Sequence, residues 1–177
     1  MRIEQIMRHD PTKVGPEEPV SRLIEWYANP GSRSRYTYVV DGAGLLLGVV
    51  TMMEILGLFM EKDVVDGHEK GVIADNEALR RISCALEEKK GLPVQRIMRK
   101  DLPTVAPSGL FLDARLLLRE RKITALPVVD GHGVLVGEVT RRVLVKLLNT
   151  MLRDPDLFTL KKDCKRLFDT SSEFFLG

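Results

Sequence analysis

The chain contains the same stretch of sequence twice. Residues 38–51 read YVVDGAGLLLGVVT, and residues 127–140 read PVVDGHGVLVGEVT. Upstream, the tripeptide Ile-Met-Arg occurs at 6–8 and again 91 residues later at 97–99, whereas the two later stretches are 89 residues apart. The difference predicts a two-residue insertion in the first copy, near residues 29–32. Self-similarity at a fixed offset predicts a structural unit that is present twice.

Each copy predicts the same elements in the same order: a short extended segment, an amphipathic helix, a β-hairpin and a second helix. The hairpin strands are almost continuously apolar, which predicts burial on both faces. The Asp-Gly pairs at 41–42 and 130–131 predict two-residue turns with positive φ. In the first copy the prediction is a helix over 17–28 with Pro19 in its first turn, a hairpin over 36–50 and a Thr51-capped helix to about 60. In the second copy it is a Ser108-capped helix, a hairpin over 125–139 and a helix over 140–151.

The rest of the chain lies outside the repeat. Residues 63–76 are polar, and a helix follows that Gly91 and Pro93 end. Residues 154–177 read as another amphipathic helix, with an apolar Phe174-Phe175-Leu176 near its end. The predicted divisions are a first motif at 1–60, a helical linker at 61–93, a second motif at 94–151 and a C-terminal helical tail at 152–177.

Composition narrows the function classes. The net charge of +2 and the mixing of basic with acidic residues do not indicate nucleic-acid binding. The two cysteines and three histidines have no ligand-like spacing, which predicts a reducing compartment and no metal site. No apolar run approaches the about 18 residues that span a bilayer, so we expect a cytosolic protein without a membrane contact. No nucleophile elbow, triad or carboxylate pair indicates an enzyme.

The ordered elements, together with the phrases Ile-Met-Arg, Val-x-Pro, Val-Val-Asp-Gly and Gly-x-Val-Thr, resemble the cystathionine-β-synthase (CBS) domain. Two copies, over about 1–60 and 94–151, resemble a CBS pair or Bateman module. The resemblance implies an α/β fold in which tandem β-α-β-β-α motifs form a pseudo-twofold sandwich of two sheets. It also implies two clefts that in many members bind AMP, ADP, ATP or S-adenosylmethionine, no required cofactor, and a homodimer formed through the helices that flank the hairpins.

In the resembling family the last motif is Thr-x-x-Asp, with the Thr hydroxyl near phosphate and the Asp carboxylate on the ribose hydroxyls. The first copy reads Thr51-Met-Met-Glu54 and keeps a carboxylate, whereas the second reads Thr140-Arg-Arg-Val143 and loses it. The helix starts at Thr51 and Thr140 present N–H groups and a positive dipole end to an anion. Arg141 and Arg142 could clamp phosphates, since guanidinium groups bind them in a bidentate fork.

Other departures from the family pattern leave alternatives open. Lys13, where the second copy has Thr104, either neutralises a phosphate or fills the cleft. Tyr36 and Tyr38, where the second copy has Ala125 and Pro127, either stack on adenine or plug its space. Arg33 and Arg35 either reach the same anion or lie in a solvated loop. The candidate ligand-binding residues are Thr104, Val105, Ile123, Ala125, Pro127, Thr140, Arg141, Arg142, Lys13, Val14, Tyr38, Thr51 and Glu54.

Two functions remain open. The first is a stand-alone regulatory module that senses an adenosine-type ligand in an inter-motif cleft and acts on an effector protein that the sequence does not identify. The alternative is a ligand-free dimerisation or protein-interaction module with degenerate nucleotide sites. Val143 and the aromatic substitutions favour the alternative, as do the apolar helix over 52–59 and the apolar end of the tail.

Overall fold

The computed structural model describes residues 1–29 and 36–154. As predicted, the fold is α/β, with two small sheets and six helices in these residues. The first motif contains β1 (Lys13–Val14), α1 (Val20–Ala28), β2 (Tyr36–Val40), β3 (Leu46–Thr51) and α2 (Met52–Phe59). The linker contains α3 (Lys62–Glu69) and α4 (Asp75–Lys89), and the second motif contains α5 (Phe111–Glu120), β4 (Ala125–Val129), β5 (Leu135–Thr140) and α6 (Arg141–Arg153).

The two motifs have matching sheets. In the first, β2 pairs antiparallel with β3 and parallel with β1. In the second, β4 pairs antiparallel with β5, and Val105 takes the place of β1 through a parallel bridge to Val128. The strands are buried along most of their length, which confirms the burial predicted from their apolar sequence. The duplication in the sequence is therefore a duplication of structure.

Each motif completes its core with a residue from the first segment of the other motif. Ile3 is fully buried in the core around α5, β4 and β5, and its N–H donates to Gly109 O at 2.9 Å. Val94, the matching residue 91 positions later, is fully buried in the core around α1, β2 and β3, and its N–H donates to Glu18 O at 2.8 Å. The two motifs therefore exchange their first segments.

The exchanged segments continue across the partner motif's sheet. Arg8 forms a two-hydrogen-bond antiparallel bridge with Glu138 of β5, with both N···O distances at 2.9 Å. Arg99 forms the same bridge with Val49 of β3, again with both distances at 2.9 Å. The Ile-Met-Arg repeats are therefore extra edge segments, each added to the other motif's hairpin.

A glycine makes each crossing possible. A Cβ added to Gly48 would lie 2.6 Å from Arg99 O, and one added to Gly137 would lie 2.8 Å from Arg8 O. Real Cβ atoms do not approach backbone oxygens so closely. The Gly-x-Val-Thr phrase in both copies therefore has a steric cause in this close approach.

The prediction of two-residue Asp-Gly turns is wrong. In the first hairpin, five residues connect Val40 to Leu46, and the positive φ falls on Gly44 instead of Gly42. The Asp41 carboxylate accepts hydrogen bonds from Ala43 N and Leu45 N, both at 2.9 Å, and this side chain shapes the turn.

The second hairpin has the same longer loop, with its positive φ at Gly133. The two loops also contact one another: Leu46 N donates to Gly133 O at 3.1 Å and Leu135 N donates to Gly44 O at 3.0 Å. Both five-residue loops therefore take part in a contact between the two hairpin tips.

Two helix starts and the number of linker helices also differ from prediction. Pro19 is the N-cap of α1 instead of lying in its first turn, and α5 begins after Leu110 instead of Ser108. The linker contains two helices instead of one. The additional helix, α3, lies in the stretch predicted to be polar and packs against the protein through the buried side chain of Val64. The predicted tail helix, Arg33, Arg35 and most of the predicted insertion lie outside the described residues.

Candidate functional site

The predicted ligand residues of the strands lie on the two sheet faces that meet between the motifs. Strand register places Tyr36 opposite Thr51 and Tyr38 opposite Val49 in the first sheet. The matching pairs in the second sheet are Ala125 with Thr140 and Pro127 with Glu138. The faces touch, since Tyr38, Val49 and Leu135 form one buried cluster and the Tyr36 hydroxyl accepts a hydrogen bond from Thr124 N at 3.2 Å.

The centre of this interface is closed. Tyr38 is fully buried, and its ring fills the space between the sheets. Burial raises the pKa of its hydroxyl, and the nearby Glu138 charge raises it further. Glu138 is itself buried and lies 2.8 Å from Arg8 Nη2. Tyr38 therefore plugs the interface, and its ring is not exposed as a stacking surface.

Both predicted anion sites lie at one edge of the module. Thr51 is the N-cap of α2 and pairs with Tyr36, whereas Thr140 is the N-cap of α6 and pairs with Ala125. Because Tyr36 reaches Thr124, the residue before Ala125, the strand ends that carry the two helix starts come together. The edge therefore has two helix N-termini that belong to different motifs.

The start of α2 already holds a carboxylate. Glu54 Oε2 accepts hydrogen bonds from Thr51 N at 2.7 Å and from Thr51 Oγ1 at 2.5 Å, and Thr51 Oγ1 accepts from Met53 N at 3.2 Å. This arrangement is a capping box, in which the N-cap and N3 residues satisfy one another. Glu54 Oε1 lies 2.8 Å from Arg99 Nε, which comes from the first segment of the second motif. The negative charge of Glu54 therefore occupies the positive end of α2.

The start of α6 has the opposite charge. The Thr140 hydroxyl accepts from Val143 N at 3.2 Å, and Arg141 N donates to Thr124 O at 3.1 Å. Its first turn has no acidic residue. Arg141 and Arg142 are exposed, and neither makes an ion pair with a described residue. This helix start presents a dipole and two guanidinium groups, and within residues 1–29 and 36–154 no carboxylate pairs with either of them.

Comparison with known proteins matches this duplicated fold. A family model described as the CBS domain matches residues 3–61 and again residues 94–150, which is more than half of the chain. The chain belongs to the CBS domain family.

Several known proteins resemble the chain over different lengths. Inosine-5'-monophosphate dehydrogenase from Mycobacterium leprae is 40% identical over 80 residues, which are 42% of this chain and only 15% of the dehydrogenase. AcuB from Vibrio cholerae has a TM-score of 0.65 at 22% identity, over 86% of this chain and 93% of that chain. The protein CBSX2, solved in complex with AMP, has a TM-score of 0.63 at 24% identity, over 85% of this chain and 97% of that chain.

The other predicted residues fall into two groups in this CBS pair. Three of them, Val105, Ile123 and Val14, are buried in the motif cores. The backbone N–H of Val105 also donates a hydrogen bond to Pro127 O at 3.1 Å. Thr104 and Lys13 are exposed. The two valines and the isoleucine are therefore core residues, while the Thr104 hydroxyl and the Lys13 amine are accessible to a ligand.

Sequence reasoning missed Arg8, Arg99, Glu138 and Thr124 as residues of the interface. Two signals were available. Arg8 and Arg99 end the same tripeptide in both copies, and Glu138 is the one charge in an otherwise apolar strand. A buried charge needs a partner, so a carboxylate in such a strand indicates a cation that crosses it.

A separate cleft of about 290 Å³ lies between the end of α2 and the linker helices α3 and α4. Its charged side chains are largely paired with one another, as Arg81 is with Glu77 and Lys89 with Glu61. Within residues 1–29 and 36–154, no group of His, Cys, Asp and Glu side chains is arranged to hold a metal ion. In the same residues, no helix is both long and apolar enough to cross a bilayer.

Proposed function

We propose that this CBS pair is a regulatory module that binds an adenosine-type ligand, such as AMP, ADP, ATP or S-adenosylmethionine, at the start of α6. The observation that carries the proposal is the positive charge there: an N-terminal dipole with Arg141 and Arg142, no acidic residue in the first turn, and no ion pair between either arginine and a described residue. The AMP bound by CBSX2, which shares the fold, supports an adenine ligand. The module would act in the cytoplasm on a separate effector protein.

The proposed binding mode gives each group a role. The phosphate of a nucleotide, or the carboxylate of S-adenosylmethionine, lies against the first turn of α6, where Thr140, Arg141 and Arg142 meet it. The ring of Tyr36 lies on its own sheet face, whereas the matching position on the other sheet is Ala125. Ala125 and Pro127 are both buried, so the proposal places the base at the strand edge and not against their side chains. Val143 has no hydrogen-bonding group, so phosphate contacts supply most of the affinity.

The test is a set of thermal unfolding curves and calorimetric titrations with AMP, ADP, ATP and S-adenosylmethionine. A ligand at a hundredfold excess over its Kd should stabilise the protein by about 2.7 kcal/mol. Arg142→Ala and Thr140→Ala should abolish the shift. Lys146→Ala removes one exposed cation from the same helix without touching its start, and it should leave the shift intact. Flat curves for all four ligands would overturn the proposal.

The alternative function, a ligand-free interaction module, rests on a different observation. Helices α2 and α6 expose large apolar side chains, among them Met53 at 70%, Leu148 at 59% and Leu152 at 80%. Apolar area of this kind favours association. The expected assembly is a homodimer through α2 and α6, and Leu148→Glu should convert a dimer to a monomer in light scattering. A dimer together with flat ligand curves would favour this function.

A further inference from the structure

We propose that residues 167–177 of this chain bind back onto the outer surface of α5 and α6. The inference goes beyond the proposed function, because it concerns a protein segment and not a nucleotide. It rests on the side chains that the two helices expose, on the composition of the segment and on the length of chain that joins them.

Helices α5 and α6 form one layer on the sheet of the second motif. Helix α5 packs against β4, α6 packs against β5, and the two helices contact one another. Their solvent sides therefore lie on the same surface of the molecule, which we call the α5–α6 face. Its large apolar side chains are between 43% and 80% exposed: Leu112, Leu116, Val145, Leu148 and Leu152.

The α5–α6 face is also cationic. Its exposed cations make no ion pair with a described residue: Arg115, Arg119, Arg141, Arg142 and Lys146. On α5, Arg115 and Arg119 follow Leu112 at i+3 and i+7, so the three side chains share one stripe. Helix α6 contains no Asp or Glu, and Asp113 and Glu120 of α5 lie together on one flank of that stripe.

These charges decide what kind of segment can cover the face. A second copy that presented the same face would bring the same cations against one another, and like charges at an interface are unfavourable. The apolar side chains favour burial, whereas the arginines need carboxylates. The segment that fits is therefore both apolar and acidic.

Residues 167–177 have this composition. They read LFDTSSEFFLG, with five large apolar side chains, two carboxylates and no Lys, Arg or His. The stretch before them is different, because Lys161, Lys162, Lys165 and Arg166 fall within 154–166. The complementarity to the α5–α6 face therefore belongs to 167–177 and not to the whole tail.

The connecting chain is long enough. Helix α6 ends at Arg153, next to Leu152 of the face, and has 13 residues. Residues 154–166 are the same number of residues. Even at the rise of an α-helix, about 1.5 Å per residue, they can run back along the whole of α6 to Arg141. Residue 167 can therefore reach any part of the face.

The experiment is photocrosslinking of the full chain. The photoreactive amino acid p-benzoylphenylalanine replaces Phe175, and mass spectrometry identifies the peptides to which it becomes joined. The expected crosslinks lie within one chain and reach residues 111–120 or 141–153. Their yield should not change on dilution, because the contact is intramolecular.

Charge variants test the recognition. Arg115→Glu/Arg119→Glu should lose the crosslink, because it places carboxylates opposite the acidic segment. Asp169→Lys/Glu173→Lys should lose it as well, and this change lies outside the described fold, so unfolding of the CBS pair does not explain the loss. Lys62→Glu/Lys100→Glu makes the same change of net charge at exposed positions on other elements and should keep the crosslink.

The outcomes are distinct. An intrachain crosslink to α5 or α6 that both charge variants lose supports the proposal. Crosslinks between two chains would mean that a second copy supplies the segment, and they overturn it. Crosslinks to other elements, no crosslinks, or crosslinks that survive either charge variant also overturn it. Because the experiment contains no nucleotide, its failure leaves the proposed ligand site at α6 standing.

Discussion

The hydroxyl of Tyr27 on α1 lies 2.7 Å from the hydroxyl of Thr37 on β2, inside the first motif. Tyr27 also donates to Val50 O at 3.0 Å. At the matching positions the second motif has Leu118 and Leu126, which are both buried in its core. The two copies thus fill one packing position differently, with a hydrogen-bonded polar pair in the first and an apolar pair in the second.

This difference predicts strong coupling in a double-mutant cycle. Tyr27→Phe leaves the buried Thr37 hydroxyl without its partner, which costs about 1–3 kcal/mol of stability. Once the partner is apolar, Thr37→Val removes an unsatisfied group and should cost little or nothing further. Urea unfolding of both single variants and the double variant measures the coupling. Additive costs would contradict the pairing of the two hydroxyls.

The crossing glycines predict a steric effect with an internal control. Gly48→Ala should destabilise the protein by about 1–3 kcal/mol, because the new Cβ meets Arg99 O at 2.6 Å. Gly42→Ala, in the loop of the same hairpin, has nothing within 4 Å of the added Cβ and should be neutral or slightly stabilising. Melting temperatures test this. Equal effects of the two substitutions would show that the close approach is absent in solution.

Glu138 predicts a dependence of stability on pH. Burial raises its pKa above the ordinary 4.5, although the Arg8 charge acts in the opposite direction. A carboxyl whose pKa is raised on folding contributes stability that is complete below about pH 4.5 and is lost as the pH rises through the raised pKa. Wild type should therefore lose stability relative to Glu138→Gln over that range.

Urea unfolding of both proteins at several pH values measures this difference. Arg8→Met should enlarge the loss, because it removes the charge that holds the pKa down. Substitution of the exposed Glu120 by Gln is the control and should give a flat difference. A wild-type advantage that grows with pH would contradict the assignment.

The exchanged segments predict that both motifs unfold together. Ile3→Ala removes a fully buried side chain from the core around α5 and should cost about 2–5 kcal/mol. The segment also carries Arg8 across β5, so loss of the second motif's core should loosen the whole module. Calorimetry should show one transition at a lower temperature. Two separate transitions would contradict the prediction, and the exposed Val145→Ala should shift the melting temperature little.

The strands, α2 and α6 could be predicted because their signals are local. Thr51 and Thr140 are standard N-caps, and the apolar strands are long enough to identify without tertiary information. The resemblance then supplied the sandwich of two sheets. The helix start predicted at Ser108 was wrong because Leu110 forms a bridge with Arg2 of the other motif. The sequence around residue 108 gives no sign of that contact.

The contacts that occupy Glu54 and Tyr38 could not be predicted either, because they join residues that are far apart in the sequence. The resemblance implied that Glu54 is a retained ligand carboxylate, because it stands three residues after Thr51 where the family has Asp. That spacing does not reveal that Arg99, 45 residues later, reaches it across the module. Likewise, the size of Tyr38 left stacking and plugging equally open, and only the position of the opposite sheet places its ring in the buried centre.

The exchange of Ile3 and Val94 also bears on how such a chain can arise. A protein with a single copy of this motif would have its own first segment but no second motif to receive it, and its core would lack one buried residue. Such an ancestor could complete its fold only by trading segments with another copy of itself. Gene duplication and fusion would then have joined two copies that already depended on one another to fold, and the linker would keep both copies in one chain.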